Sequence, residues 1–252
     1  MNTSEKLVKI AENEAIVAEA NQRLFECVNG GKVDAKSWYD EFWDACQDNG
    51  KRSDYQYAFA NMGWNDETFK PKYDLVLKTG YSGTNMFNMS HISNLAEILE
   101  RQGVKLDTSK CGYLSSIFNS SKVTRVPELN LTSAHEYNGG ISYLFMRATL
   151  LEKIDKLVVT DKLVWSYCFN DCTALKDIVI EGIIGQNGFD IHWSTLLSAD
   201  SLKSIINALS TTTTSLTITL PTTAQANYEA VYGTGNWQTL IATRSNWTIA
   251  YV

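Results

Sequence analysis

The sequence predicts an α/β solenoid, with a helical segment ahead of it and an α/β cap behind it. Three observations predict this. A segment anchored on phenylalanine recurs four times between residues 86 and 178, each copy is followed by a short run able to form a strand, and the first 28 residues carry apolar side chains at helical spacing. A single copy is too short to bury its own apolar edge, so neighbouring copies have to stack.

Residues 4–28 read as a helix. Leu7, Ile10, Glu14, Val17, Asn21, Leu24 and Val28 alternate steps of three and four, the spacing that places side chains on one face. One set is apolar (Ile10, Val17, Leu24) and the other mixed. Two readings stay open: an oligomerising coiled coil through Leu7, Ile10, Val17, Asn21, Leu24 and Val28, with a trimer among the options, or an amphipathic helix packing on its own domain. Gly30 and Gly31 end the helix, and SWYDEFWDACQ starts a second at Ser37. Residues 51–73 are rich in aromatics (Tyr55, Tyr57, Phe59, Trp64, Phe69, Tyr73) and read more readily as a small core at a domain edge than as an exposed surface.

The repeat is anchored on Phe87, Phe118, Phe145 and Phe169, at intervals of 31, 27 and 24 residues. Ahead of each Phe stands an apolar residue or cysteine (Met86, Ile117, Leu144, Cys168), and three residues after it a small one (Ser90, Ser121, Ala148, Cys172). Apolar positions follow at five to six residues (Ile92, Val123, Leu150 with Leu151, Leu175) and at eight to nine (Leu95, Val126, Ile154, Ile178). The intervals lie at or just beyond the leucine-rich-repeat period, so the expected fold is an irregular leucine-rich repeat. The runs RVPEL, KIDKLVV and DIVIEG would supply one strand per coil to one curved sheet. Residues 92–106 read as a helix between coils. From Ser198, a preferred N-cap residue, Leu202, Ile205, Ile206 and Leu209 mark a further helix. LTITL at 216–220, a helix near 236–245 and the final WTIAYV complete an expected cap. The domains expected are 1–30, an N-terminal helix and coiled-coil candidate; 31–72, an aromatic N-terminal cap; 73–197, the solenoid; and 198–252, the C-terminal cap.

Composition narrows the function. The chain has 252 residues, 44% hydrophobic and 20% charged, with a formal charge of −6. The acidic balance and the lack of a basic run argue against nucleic-acid binding. No apolar run approaches a membrane span, and the N-terminus lacks the apolar core of a signal peptide. The expectation is synthesis in a bacterial cytoplasm, with release in or as part of a particle on lysis. Five cysteines form an odd, sparse set unsuited to a disulfide scaffold. Three histidines (His91, His135, His192) share no metal-binding spacing, and no phosphate-binding glycine motif or Gly-x-Ser-x-Gly is present. No enzyme activity, cofactor or metal is expected. Cys168 and Cys172 occupy repeat positions filled elsewhere by apolar and small residues, so they read as compact packing residues.

The candidate binding residues are Tyr137, Tyr143, Trp165, Tyr167, Asp190, His192 and Trp193. HEYNGGISY combines Tyr, Asn, Gly and Ser, the chemistry of adaptable recognition loops. In VWSYCF, adjacent Tyr167 and Cys168 should point apart, which leaves one free for a surface. In GFDIHWS, Trp193 would stack on a sugar while Asp190 and His192 bond its hydroxyls. Each cluster reads more readily as an ordinary turn with an aromatic tucked inward.

The Phe-x-x-Cys/Ser-x-x-Leu-x-x-Ile units resemble the BspA-like class of bacterial leucine-rich repeats. SEKLVKIAENE, GWNDETFKPKY, LDTSK, IEGIIGQNG, LKSIINALS and IATRSNWTIA extend the likeness to repeat proteins encoded near tail genes in phages and prophages of gut bacteria. The chain departs from a regular pattern at 130–143. The resemblance implies a surface or virion-associated binding role without catalytic residues. It points to a receptor-binding or adhesin module for a bacterial surface glycan or protein. A structural tail component touching only other phage proteins is the alternative, and a cell-wall hydrolase the remote third.

Overall fold

The computed structural model describes residues 55–60, 63–136, 140–213 and 215–252. The N-terminal coiled-coil candidate and the second predicted helix lie outside the described residues.

The solenoid expected from the repeat, with one strand per coil in a single curved leucine-rich-repeat sheet, is not what the described residues form. They hold three separate small parallel sheets and four short helices, and no sheet closes. The first sheet pairs β1 (Leu75–Val76) with β2 (Leu106–Asp107). The second has β5 (Lys153–Val159) between β6 (Asp177–Gly182) on one edge and β3 (Arg125–Val126) and β4 (Leu129–Asn130) on the other. The third pairs β7 (Leu216–Leu220) with β8 (Trp247–Tyr251). Two local causes break the single sheet. Pro127 lacks the N–H a ladder needs, so RVPEL splits into β3 and β4. Unequal intervals between repeats also leave two-residue strands where a longer pairing would need equal turns.

What does recur is a hydrogen-bonded turn. Phe59, Phe87, Phe118 and Phe145 each donate a backbone N–H to the residue ahead of the next phenylalanine: to Met86 O (2.8 Å), Ile117 O (2.8 Å), Leu144 O (2.9 Å) and Cys168 O (2.9 Å). The rings follow the backbone. Phe87 and Phe118 stack at 5.3 Å and 5°, Phe118 and Phe145 at 5.7 Å and 8°, Phe145 and Phe169 at 5.6 Å and 25°. All are fully buried, and each aromatic pair adds about 0.5–1.5 kcal/mol beyond burial of area. The aromatic run at 55–73 joins the start of this column: Phe59 meets Trp64, Phe69 and Phe87 at 5.0–5.3 Å.

The turn has a backbone cost. Two residues before and two after each phenylalanine, the chain adopts positive φ without glycine: Asn85 and Met89, Ser116 and Ser120, Tyr143 and Arg147, Tyr167 and Asp171, all between 55° and 60°. An L side chain there costs roughly 1–2 kcal/mol. Bonds to the next turn offset it, because the N–H groups of Asn85, Ser116 and Tyr143 reach Ser115 O, Ser142 O and Ser166 O at 2.9–3.0 Å.

A second backbone row runs down the stack. Thr124 N–H donates to Ser93 O, Glu152 N–H to Thr124 O, Lys176 N–H to Glu152 O and Ser198 N–H to Lys176 O. At its start Asp66 stands in for a carbonyl. Its carboxylate accepts from Ser93 N (2.7 Å), Asn94 N (3.0 Å), Asn94 Nδ2 (2.7 Å) and the Ser93 hydroxyl. Partial burial works to raise the Asp66 pKa, but these hydrogen bonds outweigh it and hold it below the usual value.

Helix α1 (Leu95–Gln102) lies within the predicted 92–106 segment and stops at Gly103, at φ 67°. Helix α2 (Ala199–Ala208) starts behind Ser198, whose hydroxyl accepts from Ser201 N. Two α2 serines seal the edge of β6: Ser201 Oγ accepts from Ile178 N (2.9 Å) and Ser204 Oγ from Ile180 N (2.8 Å). An exposed strand edge is a template for aggregation, and covering it removes that hazard. Helices α3 (Ala224–Tyr232) and α4 (Asn236–Ala242) connect β7 to β8. Arg244 closes the end of α2, donating to Leu209 O (3.0 Å) and Asn207 O (2.8 Å). Among the described residues no helix is long and apolar enough to cross a membrane.

Candidate functional site

The turn that buries each phenylalanine turns its flanking residues outward. In the turns around Phe145 and Phe169 this places Tyr143 and Tyr167 side by side on the surface. Their rings are 4° from parallel with centroids 5.6 Å apart, the same advance per turn as the buried phenylalanines. Tyr143 is 39% exposed and Tyr167 58%. The alternation is sharp, since Cys168, next to Tyr167, is buried.

The far side of Tyr167 carries no further tyrosine. Ser194 N–H donates to Ile191 O as Cys172 N–H donates to Phe169 O, so Ser194 repeats Cys172 and Phe189 falls where Tyr167 stood one turn earlier. Phe189 is fully buried, its ring at 4.9 Å from Trp165 and 5.4 Å from Phe169. The outer face of Tyr167 therefore stays open.

Of the residues singled out in the sequence, Tyr143 and Tyr167 come together. Asp190, His192 and Trp193 form a second group on the following turn. His192 Nδ1 lies 2.6 Å from Asp190 Oδ1, the His192 N–H donates to the same oxygen at 3.2 Å, and the His192 ring lies 4.9 Å from that of Trp193. Trp193 is 41% exposed. Trp165 does not belong to this surface. It is fully buried against Phe169 and Phe189, because the turn directs it to the phenylalanine column. Tyr137 lies outside the described residues.

Two residues of the edge escaped sequence reasoning. Arg147 and Asp171 stand four residues after Tyr143 and Tyr167, in the second positive-φ position of each turn. Arg147 Nε lies 3.9 Å from Asp171 Oδ2, with Arg147 largely exposed and Asp171 half-buried. The signal that would have found them is their offset: Arg147 to Asp171 spans the same interval as Tyr143 to Tyr167.

Cys168 and Cys172 are packing residues. Cys168 Sγ donates to Ile141 O (3.1 Å) and Cys172 Sγ to Phe145 O (3.2 Å), in each case across to the preceding turn. Burial pushes the Cys168 thiol up to about 12 and the Cys172 thiol higher still, which keeps both protonated and poorly nucleophilic. Among the described residues no group of three or more His, Cys, Asp or Glu could hold a metal ion. Comparison with protein-family models, curated proteins and solved structures finds no match to this chain.

Proposed function

We propose that this chain is a non-enzymatic binding protein that attaches to a bacterial surface glycan through the edge carrying Tyr143 and Tyr167. The observation that carries the reading is the exposed parallel tyrosine pair, held in a backbone conformation that bulky residues disfavour. Bulky residues kept in a costly conformation while staying 39% and 58% exposed point to a role beyond stability. Tyrosine also brings a large rigid contact area with few rotatable bonds. The sequence resemblance to proteins encoded near phage tail genes supports a setting on a tail or released particle. In that setting the N-terminal heptads would multiply a weak single-site affinity through oligomerisation.

The test is binding of the labelled full chain to envelopes of gut bacteria, with Tyr167→Asn as comparison. Asparagine tolerates positive φ, so this change removes the ring and keeps the turn. Envelope binding that falls with Tyr167→Asn supports the reading. A chain that binds no envelope but co-purifies with phage tails would be a structural component instead.

A further inference from the structure

Each carboxylate of the aromatic edge faces a basic side chain. Arg147 is the only lysine or arginine in the stretches 141–150, 163–175 and 188–197, and its guanidinium faces Asp171, with Nε 3.9 Å from Oδ2. The other carboxylate of the edge, Asp190, is occupied by His192 at 2.6 Å. An acidic polymer would need an unpaired cation here, and it would approach a chain of formal charge −6, which repels polyanions over the range of a Debye length. A basic ligand would need a free carboxylate, and each one here already faces a basic side chain. What the edge offers is an open aromatic face beside groups that both donate and accept hydrogen bonds.

Resting on the glycan reading above, we infer that the ligand is an uncharged polysaccharide. One sugar ring lies with its C–H face on the open side of Tyr167, and its hydroxyls bond the Arg147–Asp171 pair. Tyr143 backs the platform: with its ring parallel to that of Tyr167, it fixes the orientation of the face the sugar meets. The edge thus selects against uronates and phosphate-bearing wall polymers, because its one arginine already faces a carboxylate and the chain around it is net negative.

The experiment is affinity electrophoresis of the full chain in gels containing neutral polymers (dextran, mannan, galactan) or polyanions (alginate, hyaluronate, teichoic acid), at low and high salt. The expected result is retardation by at least one neutral polymer, insensitive to salt, and none by the polyanions. Tyr167→Asn should weaken that retardation by about tenfold, the scale of one aromatic contact. Asp171→Asn should release Arg147 and bring in salt-sensitive retardation by alginate. Thermal unfolding of both variants checks that the fold is kept. Preference for polyanions overturns the inference, and so does an Asp171→Asn protein that gains no alginate binding. Retardation by none of the neutral polymers overturns it as well. In each case the binding reading survives if envelope binding still depends on Tyr167, and falls with the inference if envelopes are not bound.

Discussion

The turns around Phe87 and Phe118 and those around Phe145 and Phe169 share one backbone and differ in what they display. The position two before the phenylalanine has φ of 56°, 57°, 60° and 56° in the four turns. The first pair fills it with Asn85 and Ser116, the second with Tyr143 and Tyr167. Asparagine accepts this conformation readily and a bulky ring does not. The later turns therefore accept a poorer local choice, and the tyrosines are only partly buried in return. Within a repeat otherwise chosen for packing, that departure is where function is expected to show. Tyr57 occupies the same position at φ 57° and is itself partly exposed, so the first described turn follows the later pattern.

The comparison implies that the buried column sets stability and the outer column does not. Phe118→Ala removes a ring stacked on both sides and should cost about 3–5 kcal/mol in denaturant unfolding. A cost below that of an exposed substitution would refute the stacked column. Next in size, Cys172→Leu forces bulk into a fully buried small-residue position and should cost about 1–3 kcal/mol, while Cys172→Ser and Cys172→Ala stay milder. The Cys168 thiol titrates near 12 in the folded chain and near its ordinary value of 9.0 when unfolded. Its burial therefore stabilises fully below pH 9, and that contribution is lost as pH rises from 9 toward 12. Labelling of Cys168 by a thiol reagent in the native state should accordingly be slow at neutral pH.

Asp66→Ala removes the acceptor at the head of the second backbone row and should cost about 1–2 kcal/mol, as loss of a helix cap does. Because the folded Asp66 pKa lies below the ordinary 3.8, its contribution is present above that pH and fades as acid protonates the folded carboxylate. An acid-unfolding midpoint unchanged by Asp66→Asn would contradict this. The smallest effect tests the comparison itself. Tyr143→Asn should leave stability unchanged or raise it by up to about 1 kcal/mol, and Ser116→Tyr should lower it by a similar amount. The reverse ranking would mean the tyrosines serve packing.

Much of the buried side was legible in the sequence. The phenylalanine anchors, the small residues at Ser90, Ser121, Ala148 and Cys172 and the Ser198 cap all follow from spacing within one turn or one helix. The edge was legible only in part. Trp165 and Tyr167 look alike in VWSYCF, yet the positive φ of Tyr167 turns one to solvent and leaves the other in the core. Arg147 and Asp171 join the site only because consecutive turns lie in register.

By itself, then, the sequence determined which residues are apolar anchors and where helices start and stop, because those choices rest on spacing and caps within a few residues. Only the tertiary structure decided that the strands break into three small sheets, that α2 serines seal β6 while Asp66 heads the second row, and that two tyrosines meet face to face. Those outcomes depend on how turns 24–31 residues apart line up, and pairing across such a distance is settled by the hydrogen bonds and rings that meet there.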